Sequence, residues 1–156
     1  MAESADRPRP SQLLGDQLCF TLYAASRAVS GLYRSVLEEF GLTYPQYVVM
    51  LALWERSGVP VKDLGAVVHL DYGTLSPLLK RLEAQGLLRR ERRADDERSV
   101  LIELTDAGRQ LRARAAHVPE RIGSAMGLTD EELTTVRELL LRMTANVQQA
   151  AAALAG

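Results

Sequence analysis

Between Lys62 and Leu104 the residues read helix, tight turn, helix, hairpin, and that order limits what the chain can fold into. A short helix is expected near Lys62–Val68 and is cut by His69-Leu70-Asp71. The next helix carries Leu75, Leu78, Leu79 and Leu82, a stripe with spacings of three and four that ends at Gly86. Two strands follow, Leu87–Arg93 and Ser99–Leu104, joined by Ala94-Asp95-Asp96-Glu97-Arg98. Elements this short cannot fold alone and must share one core.

The flanks are helical. From about Ser11 to Phe40, Leu14, Leu18, Leu22, Ala25, Val29, Leu32, Val36 and Leu37 recur at helical spacing, as one amphipathic helix or two abutting ones, and Gly41 is the stop. Thr43-Tyr44-Pro45-Gln46 fits a capping box opening a helix through Val48, Leu51, Leu53 and Trp54 to Gly58. Helices resume over Asp106–His117, with interruptions expected near Pro119 and Gly123. A second capping box, Thr129-Asp130-Glu131-Glu132, starts a last helix with Leu133, Val136, Leu140, Met143 and Val147. The expected class is mostly α with a small β-hairpin.

A length of 156 residues suits one domain, with 1–10 as a flexible tail carrying Pro8 and Pro10. Nineteen basic and twenty acidic residues leave a net charge of -1, so a nucleic-acid surface has to come from local segregation of charge. Segregation is present: Lys80, Arg81, Arg89, Arg90, Arg92 and Arg93 face only Glu83 and Glu91 between positions 80 and 93. One cysteine excludes a disulfide framework. His69 and His117 lack metal-ligand spacing, and Gly58, Gly65 and Gly73 lack that of a phosphate loop. No cofactor is expected. The polar start is unlike a secretory signal and no apolar run is long enough for a membrane span, so a cytoplasmic protein is expected.

Two helices, a tight turn and a hairpin are the ingredients of a winged helix-turn-helix. On the second helix the leucines leave Thr74, Ser76, Pro77, Lys80 and Arg81 on other faces, where hydroxyls and cations can meet base edges and phosphates. Pro77 is tolerable if it lies in the first turn, which puts the helix start near Gly73 or Thr74 with Asp71 or Gly73 as cap. Arg98, beyond Asp95-Asp96-Glu97, can reach a minor groove, and with Arg92, Arg93 and Asp96 it completes the DNA-contacting set. The alternative is that these charges only solvate exposed faces.

Residues Val61 to Gly108, above all Leu70–Glu83 and Asp95-Asp96-Glu97-Arg98-Ser99, resemble the MarR family of winged-helix repressors. The resemblance covers roughly residues 11–148. It implies a homodimer on double-stranded operator DNA, with 11–45 and 106–156 as dimerisation helices and 46–105 as the DNA-binding region of a single unit spanning 11–156.

Within that family, Asp16-Gln17-Leu18-Cys19-Phe20 and Leu42-Thr43-Tyr44-Pro45-Gln46-Tyr47 resemble the organic hydroperoxide resistance regulators of the one-cysteine type. The resemblance implies that Cys19 is the redox sensor, that Tyr33 and Tyr44 of a partner subunit hydrogen-bond it, and that Tyr23 and Tyr47 support them. It further implies an organic hydroperoxide as inducer, and either capture of oxidised Cys19 by a low-molecular-weight thiol or its overoxidation. Independently of any family, Cys19 lies near the start of the first helix, where amides and dipole favour the thiolate that attacks peroxides. Three alternatives stay open: Cys19 is a small buried hydrophobe; the switch is a small aromatic ligand with Cys19 structural; or the chain is a thiol peroxidase, which would want a resolving cysteine that this sequence lacks.

Overall fold

The computed structural model describes residues 11–92 and 100–154. The 1–10 tail and the hairpin-tip residues Arg93, Asp96 and Arg98 lie outside the described residues. The elements run α1 (Leu18–Leu37), α2 (Tyr44–Glu55), β1 (Val59–Pro60), α3 (Val61–Val68), α4 (Tyr72–Ala84), β2 (Leu88–Arg92), β3 (Val100–Leu104), α5 (Asp106–Arg114), α6 (Val118–Met126) and α7 (Asp130–Leu154). They gather into two compact units, Met1–Val118 and Pro119–Gly156.

α1 begins at Leu18, seven residues later than the apolar spacing suggests. Ser11 Oγ donates to Asp16 Oδ2 at 2.7 Å, Leu13 N–H donates to Ser11 Oγ at 3.1 Å, and Gln17 is extended. These local side-chain bonds compete with helix, and only a single 3-10 turn, Leu14–Asp16, forms before α1. The α2 capping box is realised in full: Thr43 N–H donates to Gln46 Oε1 at 2.8 Å, and Gln46 N–H returns to Thr43 Oγ1 at 3.5 Å.

α2 stops at Glu55 rather than near Gly58, because the next residues join the sheet. Leu104 N–H donates to Ser57 Oγ at 2.9 Å and Gly58 N–H to Ile102 O at 2.9 Å. The sheet has a third strand that residue spacing did not reveal. β1 pairs antiparallel with β3, Val59 opposite Ile102 and Pro60 opposite Leu101, in the order β1-β3-β2. Two residues show no alternation, and Pro60 is permitted only because β1 lies at an edge.

α3 turns into α4 through His69, held in the left-handed conformation at φ 55°. Leu70 N–H returns to Gly65 O at 3.0 Å, and a Cβ on Gly65 would stand 2.9 Å from Leu70 O, so only glycine allows so tight a corner. Asp71 caps α4, accepting from Thr74 N–H at 2.9 Å. This cap puts the helix start at Tyr72 and moves Pro77 out of the first turn into the second, contrary to the sequence expectation. An interior proline costs about 3 kcal/mol. Leu75, Leu79 and Leu82 are fully buried, and at about 1.5–3 kcal/mol each they outweigh it.

α5, which sequence patterning groups with the C-terminal helices, packs against α2 and β3. Trp54 Nε1–H donates to Gly108 O at 2.8 Å, tying α2 to α5. The first unit's core is the shared interior of these elements, including Leu37, Tyr47, Met50, Leu53, Leu88, Ile102 and Leu111.

In the second unit, α6 continues through Pro119 and Gly123 where interruptions were expected. Pro119 sits in the first helical turn, where a missing amide costs nothing, and Gly123 carries no positive φ. The Thr129–Glu132 box opens α7, with Thr129 N–H on Glu132 Oε2 at 2.8 Å and Glu132 N–H on Thr129 Oγ1 at 3.2 Å.

Candidate nucleic-acid interface and thiol site

The burial of Leu75, Leu79 and Leu82 fixes which way α4 faces. At about 100° per residue, Gly73, Pro77 and Lys80 lie opposite that stripe, Thr74 and Arg81 lie on one flank, and Ser76 lies on the other. Thr74, Pro77, Lys80 and Arg81 are exposed, whereas Ser76 is half-buried. Ser76 lines a cavity of about 890 Å³ between α3, α4 and the β-ribbon, together with His69, Tyr72 and Arg90. Tyr72, the first residue of α4, is 72% exposed and lies on the Ser76 flank of the helix. Its aromatic character and its position at the helix start were the available signals, and residue spacing alone did not single it out.

The basic run is less cationic than its residue count. Glu83 accepts from Arg90 Nε at 2.8 Å and Arg90 N–H at 3.1 Å, with Arg90 Nη2 also at 2.8 Å. Arg90's hydrogen bond holds the Glu83 carboxyl below its ordinary value. Arg89 pairs with Glu91 at 2.7 Å and Glu103 at 2.8 Å. Two of the six cations are therefore matched within the sheet and at its junction with α4. Lys80 and Arg81 form no ion pair among the described residues, and Arg92 is exposed on β2. Arg93, Asp96 and Arg98 belong to the undescribed tip.

Cys19 is the second residue of α1, and it is exposed, so in the single chain it is not a buried hydrophobe. Tyr33 and Tyr44 are brought together, with ring centroids 4.3 Å apart. Tyr47 lies 5.9 Å from Tyr33, and Trp54 stands 5.9 Å from Tyr47 edge-on, so four rings form a continuous aromatic stack. Burial, and then the neighbouring Tyr44 and Tyr47, pushes the Tyr33 phenol up to about 12. Burial and Tyr44 also raise that of Tyr47. Both phenols therefore keep their protons at neutral pH, and Tyr33, only half-buried, can donate to an anion.

The thiol and the tyrosines are not brought together within one chain. Cys19 and Tyr33 are fourteen residues apart on α1, about 21 Å at 1.5 Å per residue. Tyr23 lies on the thiol's side of that gap, exposed, with Arg27 Nη1 donating to its hydroxyl at 3.4 Å.

Around the thiol the surface is apolar: Leu18 is 62% exposed, and Phe20 and Tyr23 are exposed as well. In the second unit, Val136, Leu139, Leu140, Leu141 and Val147 of α7 are exposed, and α7 has no buried residue. Apolar surface of this extent marks an interaction face.

Comparison with known proteins gives this geometry a context. Residues 31–114 match the family model described as transcriptional regulator SarA/Rot. The HTH-type transcriptional regulator TtmR of Methylorubrum extorquens is 48% identical over 132 residues, 85% of this chain and 68% of its own. The organic hydroperoxide resistance transcriptional regulator of Bacillus subtilis is 44% identical over 126 residues, 81% of this chain and 84% of its own. Reduced AbfR bound to DNA superposes with a TM-score of 0.73 at 37% identity, covering 86% of this chain and 93% of the other.

Proposed function

The chain belongs to the SarA/Rot family of MarR-like winged-helix transcriptional regulators, and on that premise we propose that it is a homodimeric repressor that leaves its operator when an organic hydroperoxide oxidises Cys19. It acts as a regulator in the cytoplasm and not as an enzyme. α4 enters the major groove, with Thr74, Pro77, Lys80 and Arg81 toward the DNA and Arg92 of β2 on the flanking backbone. The observation that carries the reading is the exposed Cys19 sulfur, on an apolar patch, in a chain whose paired tyrosines lie about 21 Å farther along the same helix. A second copy related by a twofold axis, its α1 antiparallel to the first, closes that gap and sets each thiol against its partner's Tyr33–Tyr44 pair.

The chemistry follows from the thiolate. It attacks the outer peroxide oxygen, the O–O bond breaks, the departing alkoxide takes a proton from water and leaves as an alcohol, and sulfenic acid remains on Cys19. A low-molecular-weight thiol then condenses with the sulfenic acid, expelling water and forming a mixed disulfide. The first step removes the negative charge from sulfur and weakens the phenol hydrogen bonds, and the second replaces the sulfenic hydroxyl with a bulkier neutral group.

Cys19→Ser tests the assignment. In a gel-shift assay with cumene hydroperoxide and a small thiol, wild type should release DNA and the serine variant should stay bound. Peroxide-induced release of the serine variant would sink the sensor role. The cavity beside α4 supports a second reading, a regulator switched by a small aromatic ligand, because about 890 Å³ lies within the range for such sites. Under that reading an aromatic carboxylate should raise the melting temperature of Cys19→Ser and displace its DNA.

A further inference from the structure

We propose that Thr74 reads its base as a hydrogen-bond acceptor only, because Asp71 keeps its hydroxyl proton, and that the base it meets on the contacted strand is adenine or cytosine. The inference rests on the reading that α4 enters the major groove.

Thr74 Oγ1 lies 2.8 Å from Asp71 Oδ2, and Thr74 N–H donates to Asp71 Oδ1 at 2.9 Å. A carboxylate has no proton to give, so the hydroxyl hydrogen must be the one shared in the first contact. Both carboxylate oxygens thus hold one residue, and the threonine rotamer is set by two bonds. The neighbouring residue leaves room for this: a Cβ on Gly73 would stand 3.1 Å from Asp71 Oδ1 and press on the carboxylate. Thr74 itself is exposed, so its remaining lone pairs are open to a ligand.

A free threonine hydroxyl donates or accepts and so tells bases apart poorly. With its proton committed, this one can only accept. In the major groove adenine N6 and cytosine N4 donate, while guanine O6 and N7 and thymine O4 only accept. Facing guanine or thymine, Thr74 would set lone pair against lone pair.

The test uses the full-length protein and a duplex enriched by it from a randomised pool, with each half-site base pair then exchanged singly and binding followed by fluorescence anisotropy. Wild type should show one position per half-site where adenine or cytosine on one strand is favoured about threefold to tenfold, the worth of one hydrogen bond. Thr74→Val should flatten that position alone, and Thr74→Ser should restore it. Asp71→Asn still caps the helix, but its amide donates to Oγ1 and frees the hydroxyl proton. Guanine and thymine should then be accepted at the same position. If Thr74→Val leaves every position unchanged, or Asp71→Asn keeps the adenine/cytosine preference, the acceptor assignment is overturned while DNA binding stands. If wild type enriches no sequence, the DNA-binding reading itself fails and this inference with it.

Discussion

Replacing Gly108 with alanine sets a helix-propensity gain against a backbone collision, and the collision should win. Gly108 sits inside α5, where alanine would ordinarily gain about 1 kcal/mol. A Cβ there, however, would fall within the Leu87 carbonyl oxygen, 3.0 Å from its carbon and 3.1 Å from Leu104 Cδ2. A carbonyl cannot rotate aside as a side chain does, so α5 or the root of β2 must move, at an overpacking cost of about 1–3 kcal/mol. That movement would strain the Thr105 N–H bond to Leu87 O (3.2 Å) and the Trp54 bond to Gly108 O (2.8 Å), about 1 kcal/mol each. The net loss should be about 2–4 kcal/mol, a fall in melting temperature of about 4–16 °C for a chain of this size. Trp54 is the only tryptophan and lies at the affected junction, so its fluorescence reports the transition directly. Gly123→Ala is the matched control: it is also helical, with nothing within 4 Å of an added Cβ, and should be stabilised by up to about 1 kcal/mol. Equal stability of the two variants would refute the close-approach argument.

Two further outcomes follow from titrating groups. Tyr33 has a folded value of about 12 against an ordinary 10.0, so above pH 10 the folded chain holds a proton that the unfolded chain has released. Its contribution is complete below pH 10 and is lost as pH rises toward 12, and Tyr33→Phe should flatten the fall of melting temperature across that window; parallel alkaline slopes would reject it. Glu83→Gln removes the clamp on Arg90, whose side chain and that of Glu83 are each about a third exposed. The cost should be only about 0.2–1 kcal/mol at neutral pH. Because the Glu83 carboxyl titrates below its ordinary 4.5, the wild-type advantage should hold above that value and vanish as pH falls well beneath it. Melting curves of the two proteins from neutral to acidic pH check both points.

Features set by near neighbours in sequence were legible without coordinates. The capping boxes at Thr43–Gln46 and Thr129–Glu132 each need only four residues, and both form. Gly41 and Gly86 take the positive φ that stops their helices. Long-range features were not legible. β1 exists because β3 lies beside it, and nothing in Val59-Pro60 advertises a strand. Gly108 reads as a poor helix former until Leu87 is seen against it. The cations of β2 could be counted, but their pairing with Glu83 and Glu103 depends on side chains seven and fourteen positions away. Pro77 was misplaced because Asp71 and Gly73, two residues apart, both fit as caps, and the Asp71 cap starts α4 at Tyr72 rather than at Gly73 or Thr74. Cys19, Tyr33 and Tyr44 were legible as residue types, whereas their separation within one chain follows from α1 running unbroken between Cys19 and Tyr33.

In the proposed dimer, placing each thiol against the partner's tyrosine pair sets how strongly a redox event can act. In a twofold dimer every contact occurs twice, so two Cys19 sulfurs would each face the partner's Tyr33–Tyr44 pair. A hydrogen bond to a charged group contributes about 1.5–3 kcal/mol, and losing one at each of two sites comes to about 3–6 kcal/mol. About 1.4 kcal/mol is tenfold in affinity, so if most of that loss reaches the DNA-bound state, occupancy falls by two to four orders of magnitude. Oxidation of both subunits should therefore be needed for full release, and heterodimers with one Cys19→Ser subunit should show a partial response to peroxide. Full release from such a heterodimer would mean that the coupling does not run through paired tyrosine contacts.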